Sequence, residues 1–266
     1  MTQHIKAMEY SGDDYARAWK TYQDRVNLRD MFIQSLPRIK DELPGLSNIK
    51  SIVFISGGFG RLELDFVGLY GCLENVTEMA SVEPDAEQMA KFKKRVSQLF
   101  PTVRTVCYQE KFEDWKGTDK PYDAVTLFDC LYHNTLAEYS VLFKKLFDNV
   151  VASGGYVFFL MSPYDVTYPI TSFGRVMKRL KISTPDPIEV PVIREMMIET
   201  GFESCYDLPV HCKMNCENLN DDFARLFVFL SEGKVTLEDA REVVEEEFGG
   251  RKSDPYKMNF LAFRKP

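Results

Sequence analysis

The chain has 266 residues, 45% of them hydrophobic and 27% charged, which suits one large soluble domain or a domain with an appended lobe. A net charge of −7 without a basic stripe predicts no nucleic-acid partner and weakly favours a cationic ligand. No apolar run reaches the roughly 18 residues of a membrane helix, and the opening "MTQHIKAMEYSGDDYARAWK" lacks an apolar h-region, so no membrane partner, no signal peptide and a cytoplasmic location are expected.

Residues 13–41 predict helix in two pieces, because "YARAWKTYQDRVNLRDMFIQSL" spaces its apolar residues by three and four. "LPG" at 43–45 closes that region. Strand–helix alternation follows. "SIVFIS" predicts a strand and "GRLELDFVGLYGCL" a helix; "EMASV" (78–82) predicts a strand and "DAEQMAKFKKRVSQLF" a helix. "VRTVCY" (103–108) and "YDAVTLFDCL" predict strands, "AEYSVLFKKLFDNVV" a helix and "GGYVFFLMS" a strand. After 165 the pattern loosens. "PIEVPVIREMMIETGFESCYDL" predicts a helix stopped at Gly201 and then a strand; "DDFARLFVFL" and "TLEDAREVVEEEF" predict helices, the second with a Thr cap, and "KMNFLAFRK" a last strand.

Such alternation implies an α/β fold: a doubly wound, seven-stranded, mostly parallel sheet of Rossmann-like type, with a helical N-terminal lobe and a helical C-terminal insertion. Three stretches are expected: 1–47 as a lobe over the substrate pocket, 48–164 as the cofactor-binding core, and 165–266 as substrate-side helices with the last two strands. The six cysteines are scattered and expected to stay reduced. "CYDLPVHCKMNC" (205–216) gathers three of them near His211 without the paired spacing of a zinc site, so no metal is expected.

A doubly wound sheet binds its ligand beyond the carboxyl ends of its strands. Gly57, Gly58 and Gly60 fall there, where glycine admits positive φ and close approach of a ligand, and the helix start beyond offers N–H groups to an anion. A dinucleotide fingerprint would need Gly or Ala at 63; Glu63 stands there and would repel a pyrophosphate. No Gly-Lys-Ser/Thr follows, so a P-loop is excluded too. Glu83 ends the second strand, 23 residues beyond Gly60, where an acid bonds ribose hydroxyls. Pro84 suits the start of the next helix. A nucleoside without phosphates fits this set, and S-adenosylmethionine is such a ligand: its carboxylate could use the loop N–H groups, while its ammonium and sulfonium tolerate acids.

The motifs "VEPDAEQMAKFK" (82–93), "YDAVTLFDCLYHN" (122–134), "SCYDL" (204–208), "LFVFLSE" (226–232) and "NFLAF" (259–263) together resemble the histamine N-methyltransferase family, within the class I S-adenosylmethionine-dependent methyltransferases. The resemblance spans nearly the whole chain, thinly at the N-terminus and over 163–200. It implies that Gly57, Gly58 and Gly60 meet the methionine moiety, that Glu83 takes the ribose, and that Gln88 lies by the cofactor. It places the adenine beside 110–114, hence Phe112 and Glu113, and Phe128 against the cofactor. On the substrate side it implies Asp24, Asp129, Tyr132, His133 and Asn259. Asp129 replaces a family Gln, Asp24 a longer acid and His133 an aromatic, which puts histamine itself in doubt.

Methyl transfer to an amine needs a free lone pair, so an ammonium must first lose its proton. Asp24 and Asp129 could hold a cation, one of a pair of acids can have a raised pKa, and His133 is another candidate base. Asp129, Asp24 and His133 are the candidate catalytic residues. Each has a plainer reading: a turn cap for Asp129, a solvated helix face for Asp24, a hydrogen-bonded turn for His133. Tyr10, Tyr15, Trp19 and Tyr22 could line a pocket for a flat cation or form the lobe's packing face. The expectation is a monomeric, S-adenosylmethionine-dependent N-methyltransferase of a small cationic amine, releasing S-adenosylhomocysteine. An O-methyltransferase and a non-catalytic cofactor-binding protein are the alternatives.

Overall fold

The computed structural model describes residues 12–69, 72–118, 120–130, 135–161, 172–182, 189–231 and 233–266. In chain order the elements are α1 (Gly12–Arg25), α2 (Leu28–Glu42), β1 (Ser51–Ile55), α3 (Arg61–Leu64), β2 (Glu78–Val82), α4 (Ala86–Leu99), β3 (Arg104–Tyr108), β4 (Tyr122–Phe128), α5 (Leu136–Lys145), β5 (Val151–Met161), α6 (Ser172–Arg179), α7 (Val190–Thr200), β6 (Glu203–Asn215), α8 (Asp221–Leu230), α9 (Leu237–Phe248) and β7 (Ser253–Arg264). The seven strands form one sheet in the order β3-β2-β1-β4-β5-β7-β6. β1 pairs in parallel with β2 and β4, as do β2 with β3 and β4 with β5, while β7 runs antiparallel to β5. The chain winds outward from β1 to β3 and then, in the other direction, from β4 to β5. The crevice between β1 and β4 is therefore the topological switch point. Among the described residues no helix is long and apolar enough to cross a membrane.

The elements gather into two compact units. One comprises 30–163, 188–210 and 258–266 and holds most of the sheet. Its strands alternate across two buried faces, as doubly covered parallel strands do. Val53, Val125, Leu127, Val157, Phe159, Leu261 and Phe263 share a core with Tyr139 and Phe143 of α5 and Ile193 and Met197 of α7. On the other face Phe32 of α2 lies 5.6 Å from Phe128 and 5.9 Å from Phe260, and Phe54 of β1 lies 5.6 Å from Phe92 of α4. Helix α2 is thus part of the sheet's packing, so residues 30–47 leave the N-terminal lobe that the sequence pattern drew.

The other unit comprises 1–29, 164–187 and 211–257. Tyr22 of α1 packs against Phe223 of α8 and edge-on to Tyr256, both between 6.3 and 6.4 Å. Arg25 donates to the carbonyls of Glu217 and Asn218, each at 2.8 Å. Arg175 and Arg179 of α6 pair with Glu247 and Glu246 of α9.

Local signals explain most boundaries. Gly201 stops α7 at φ +112°, and Thr236 caps α9 through the N–H of Asp239, both as expected. Thr135 and Glu138 make a reciprocal capping box at α5. Three features differ from the expectation. α3 and α5 each run into a π turn, at Asp65–Leu69 and Leu146–Val150. β5 begins at Val151, earlier than expected, and its pairing with β4 shifts register around Gly154 and Gly155. A Cβ on Gly155 would stand 2.8 Å from the Asp123 carbonyl, so only glycine fits that bulge. α6 was not expected.

Candidate functional site

The loop after β1 carries out the turn its glycines predict. Ser56 extends the ladder by donating to the Val82 carbonyl (2.9 Å), and Gly60 donates to the Gly57 carbonyl (2.8 Å). Gly58 and Gly60 have φ of +53° and +72°, and Gly60 opens α3. The three glycines have different reasons. A Cβ on Gly60 would stand 2.8 Å from the Phe92 ring, so Gly60 lets the loop close on α4. A Cβ on Gly58 would meet only Gln88 Oε1, at 3.8 Å. Gly58 is therefore open on the side away from the core.

Glu83 leaves β2 with its N–H donating to the Tyr108 carbonyl (3.0 Å). Its carboxylate turns toward the loop. Oε2 accepts from the Gly58 N–H at 3.1 Å and Oε1 from the Asp85 N–H at 3.0 Å. The side chain is buried, and burial raises its pKa against the lowering effect of those two N–H groups. Each oxygen keeps a lone pair for a further donor. The helix cap is Asp85, which accepts from the Gln88 N–H at 2.8 Å, so Pro84 is exposed one position ahead of the cap. Gln88 Oε1 is buried and has no partner. An orphaned acceptor beside an open glycine is a feature that a bound donor would satisfy.

Glu63 occupies the third position of the glycine pattern. It is 4% exposed, and the backbone N–H groups of Glu63 and Leu62 pull its pKa down against the effect of burial. A Cβ on Gly57 would lie 3.3 Å from Glu63 Oε1, so the bare backbone at 57 rests on the carboxylate. Burial pushes the group up to about 8, with Asp129 and Asp65 pushing the same way. Of the loop's N–H groups, that of Gly58 is already taken by Glu83.

Across the switch point, β4 ends at Phe128 and the chain turns at Asp129, whose φ is +50° and whose N–H donates to the Leu160 carbonyl at 2.7 Å. Ser56, at the end of β1, also has φ of +51°. Two non-glycine residues thus hold the left-handed backbone on the two sides of one crevice, a strain that surrounding structure must hold in place. Burial pushes the Asp129 carboxyl up to about 7. The Cys130 thiol is also raised, by burial first and then by Glu63, Asp129 and Glu83.

The remaining expected residues are dispersed. Phe128, the last residue of β4, is buried with its ring against Phe32, Phe66 and Phe260. Phe112 packs against Trp115 (5.9 Å) with the Lys145 ammonium 4.5 Å above its ring, and Glu113 is exposed. Asn259 is buried on β7 opposite Met161; its amide donates to Asp207 Oδ1 at 2.9 Å, leaving its own Oδ1 without a partner. Asp24 is exposed on α1 and paired with Lys20, one helical turn away. Tyr10, Tyr132 and His133 lie outside the described residues, as do the side chains of Tyr15 and Trp19. Glu63 was not among the expected site residues. Its signal was the broken glycine pattern.

No protein-family model matches the chain, and no curated protein matches it by sequence. Solved structures do. A methyltransferase from Bacillus halodurans superposes with a TM-score of 0.62 at 17% identity, covering 88% of this chain and 98% of its own. The chain has the class I methyltransferase fold. A sarcosine dimethylglycine methyltransferase from Galdieria sulphuraria gives a TM-score of 0.53 at 15% identity, over 89% of this chain and 84% of that one. A geranyl diphosphate methyltransferase in complex with S-adenosylmethionine gives 0.52 at 11%, over 98% and 94%. These neighbours share the fold, and the two described by substrate differ in it. The likeness to the histamine N-methyltransferase family rests on the sequence motifs alone.

Proposed function

We propose that the protein is an S-adenosylmethionine-dependent methyltransferase acting on the nitrogen of a small cationic amine. The observation that carries the cofactor reading is Glu83: a buried carboxylate at the end of β2, held against the glycine loop by two N–H groups, with lone pairs left for two hydroxyls. Gln88 Oε1, buried and unpartnered beside Gly58, is a second acceptor for the same ligand. When bound, the cofactor supplies an electrophilic methyl group with a neutral thioether as leaving group. The protein's part is then mainly alignment and exclusion of water.

The amine reading rests on charge. Glu83 and Asp129 stand at the ends of β2 and β4 and Glu63 lies under the loop; all three are raised by burial, so an ammonium that enters favours their ionised forms while an anionic acceptor such as a diphosphate or carboxylate opposes them. A carboxyl pushed up to about 7, as in Asp129, is matched to taking the proton that an ammonium must lose near neutral pH. Histamine-like biogenic amines are within this class. The test is calorimetric titration with S-adenosylhomocysteine, followed by a thermal-shift screen of small amines in its presence and a methyl-transfer assay on the hits. Absence of cofactor binding refutes the whole reading. Stabilisation by carboxylic acids or phenols in place of amines would leave the cofactor and replace the substrate.

A further inference from the structure

We propose that Glu63 is a specificity residue whose negative charge makes the site prefer the sulfonium form of the cofactor to the neutral thioether product. This rests on the cofactor reading above. The cofactor and its product share the adenosine, the α-ammonium and the α-carboxylate. They differ in one methyl group and one permanent positive charge. A site that must take up one and release the other can discriminate only through those two features.

Glu63 is placed to act on the charge. Its carboxylate lies directly beneath Gly57, with no side chain between, so a ligand touching the loop backbone comes within Coulomb range of it. Within the loop the Gly58 N–H is already taken by Glu83, which leaves one donor fewer for the ligand's carboxylate. The charged groups around Glu63 are Arg61 and Asp65 on its own element, and Asp129 from the end of β4. Glu83 holds the Gly58 N–H of the same loop, and Gln88 faces the loop from α4 as a neutral group. Burial and like charge both disfavour ionised Glu63 in the ligand-free protein. A bound sulfonium relieves both. Ionising for it means that one carboxyl proton passes to solvent as the ion pair forms.

The sign of the pH dependence follows. Below about 8 Glu63 is protonated, and binding the cation must also remove that proton. Above it the carboxylate is ready. The affinity ratio of S-adenosylmethionine to S-adenosylhomocysteine should therefore rise with pH.

The experiment is calorimetric titration of the full-length protein with each compound, without methyl acceptor, at pH 6 and 8.5, for wild type, Glu63→Gln and Asp129→Asn. In the wild type the ratio should rise between the two pH values. Glu63→Gln should lower it on the order of tenfold at pH 8.5, flatten its pH dependence and leave the product's affinity near the wild-type value. Asp129→Asn removes a charge that pushes Glu63 up, so the rise should move to lower pH. If Glu63→Gln melts without a cooperative transition, the wild-type and Asp129→Asn profiles decide alone. A wild-type ratio independent of pH overturns the inference, as does a Glu63→Gln protein that loses both compounds equally, which is the mark of a structural role. If the wild type binds neither compound, the cofactor reading fails first and this inference with it.

Discussion

Replacing Glu63 by Gln should make the ligand-free protein more stable above neutral pH. A buried glutamate has an ordinary pKa of 4.5 in the unfolded chain, and in the fold burial carries it up to about 8. Between these values the native state binds a proton that the unfolded state has lost. Stability therefore falls as pH rises through that window, and the full penalty is present above 8. At about 1.36 kcal/mol per pH unit, the ceiling is about 4–5 kcal/mol. Water penetration and movement of the side chain reduce it, so about 2–4 kcal/mol is expected at pH 9. Gln keeps the size and an oxygen that can accept from the N–H groups of Leu62 and residue 63, and it does not titrate. Urea unfolding at pH 5, 7 and 9 is the assay, with the slope of each transition checked for two-state behaviour. Wild type and variant should be nearly equal at pH 5 and diverge by pH 9, with the variant ahead. Parallel profiles, or a variant less stable at pH 9, would mean that Glu63 is ionised and satisfied in the fold, and the reasoning about its charge would be wrong.

Glu83→Ala should weaken S-adenosylmethionine by roughly one to two decades in dissociation constant, since hydrogen bonds to a charged group contribute about 1.5–3 kcal/mol; unchanged affinity by calorimetry removes Glu83 from the site. The glycines should separate: Gly60→Ala forces a Cβ to 2.8 Å from the Phe92 ring at φ +72° and should cost at least about 2 kcal/mol of folding stability. Gly58→Ala meets only Gln88 Oε1 at 3.8 Å and should cost about 1 kcal/mol through its φ alone while impairing cofactor binding. Equal denaturation midpoints for these two variants would refute the assignment of one to packing and the other to the ligand. Asp129→Asn should lower kcat/KM for the best amine found by on the order of tenfold to a hundredfold with little change in cofactor affinity; full activity would return Asp129 to a turn role.

The sheet was legible because its central strands are short apolar runs between glycines, prolines and polar clusters, as in "SIVFIS" and "YDAVTLFDCL". β6 was harder. Only its first residues read as strand, although it runs from Glu203 to Asn215, because its buried positions, Leu208, Val210, Cys212 and Met214, alternate with exposed polar ones at the sheet edge. A half-exposed edge strand lacks the continuous apolar signal of a buried one. α2 read correctly as helix and was assigned to the wrong neighbour. Its apolar stripe of Phe32, Leu36 and Ile39 shows that one face is buried, without naming the surface that buries it.

Glu63 shows where legibility stops. The sequence pattern shows that a third glycine is missing and that phosphate is disfavoured. It does not show that the carboxylate turns back beneath Gly57. That is a matter of rotamer and tertiary placement, and the chemistry depends on it. An acid pointing outward would leave an ordinary helix start ready for an anion. An acid folded inward sets a buried, titratable carboxyl beside the ligand-facing backbone. Glu83 takes the Gly58 N–H, and under the proposed function the acids of the loop favour a cation over an anion. The glycines account for the turn, and the acids around them account for what the turn can hold.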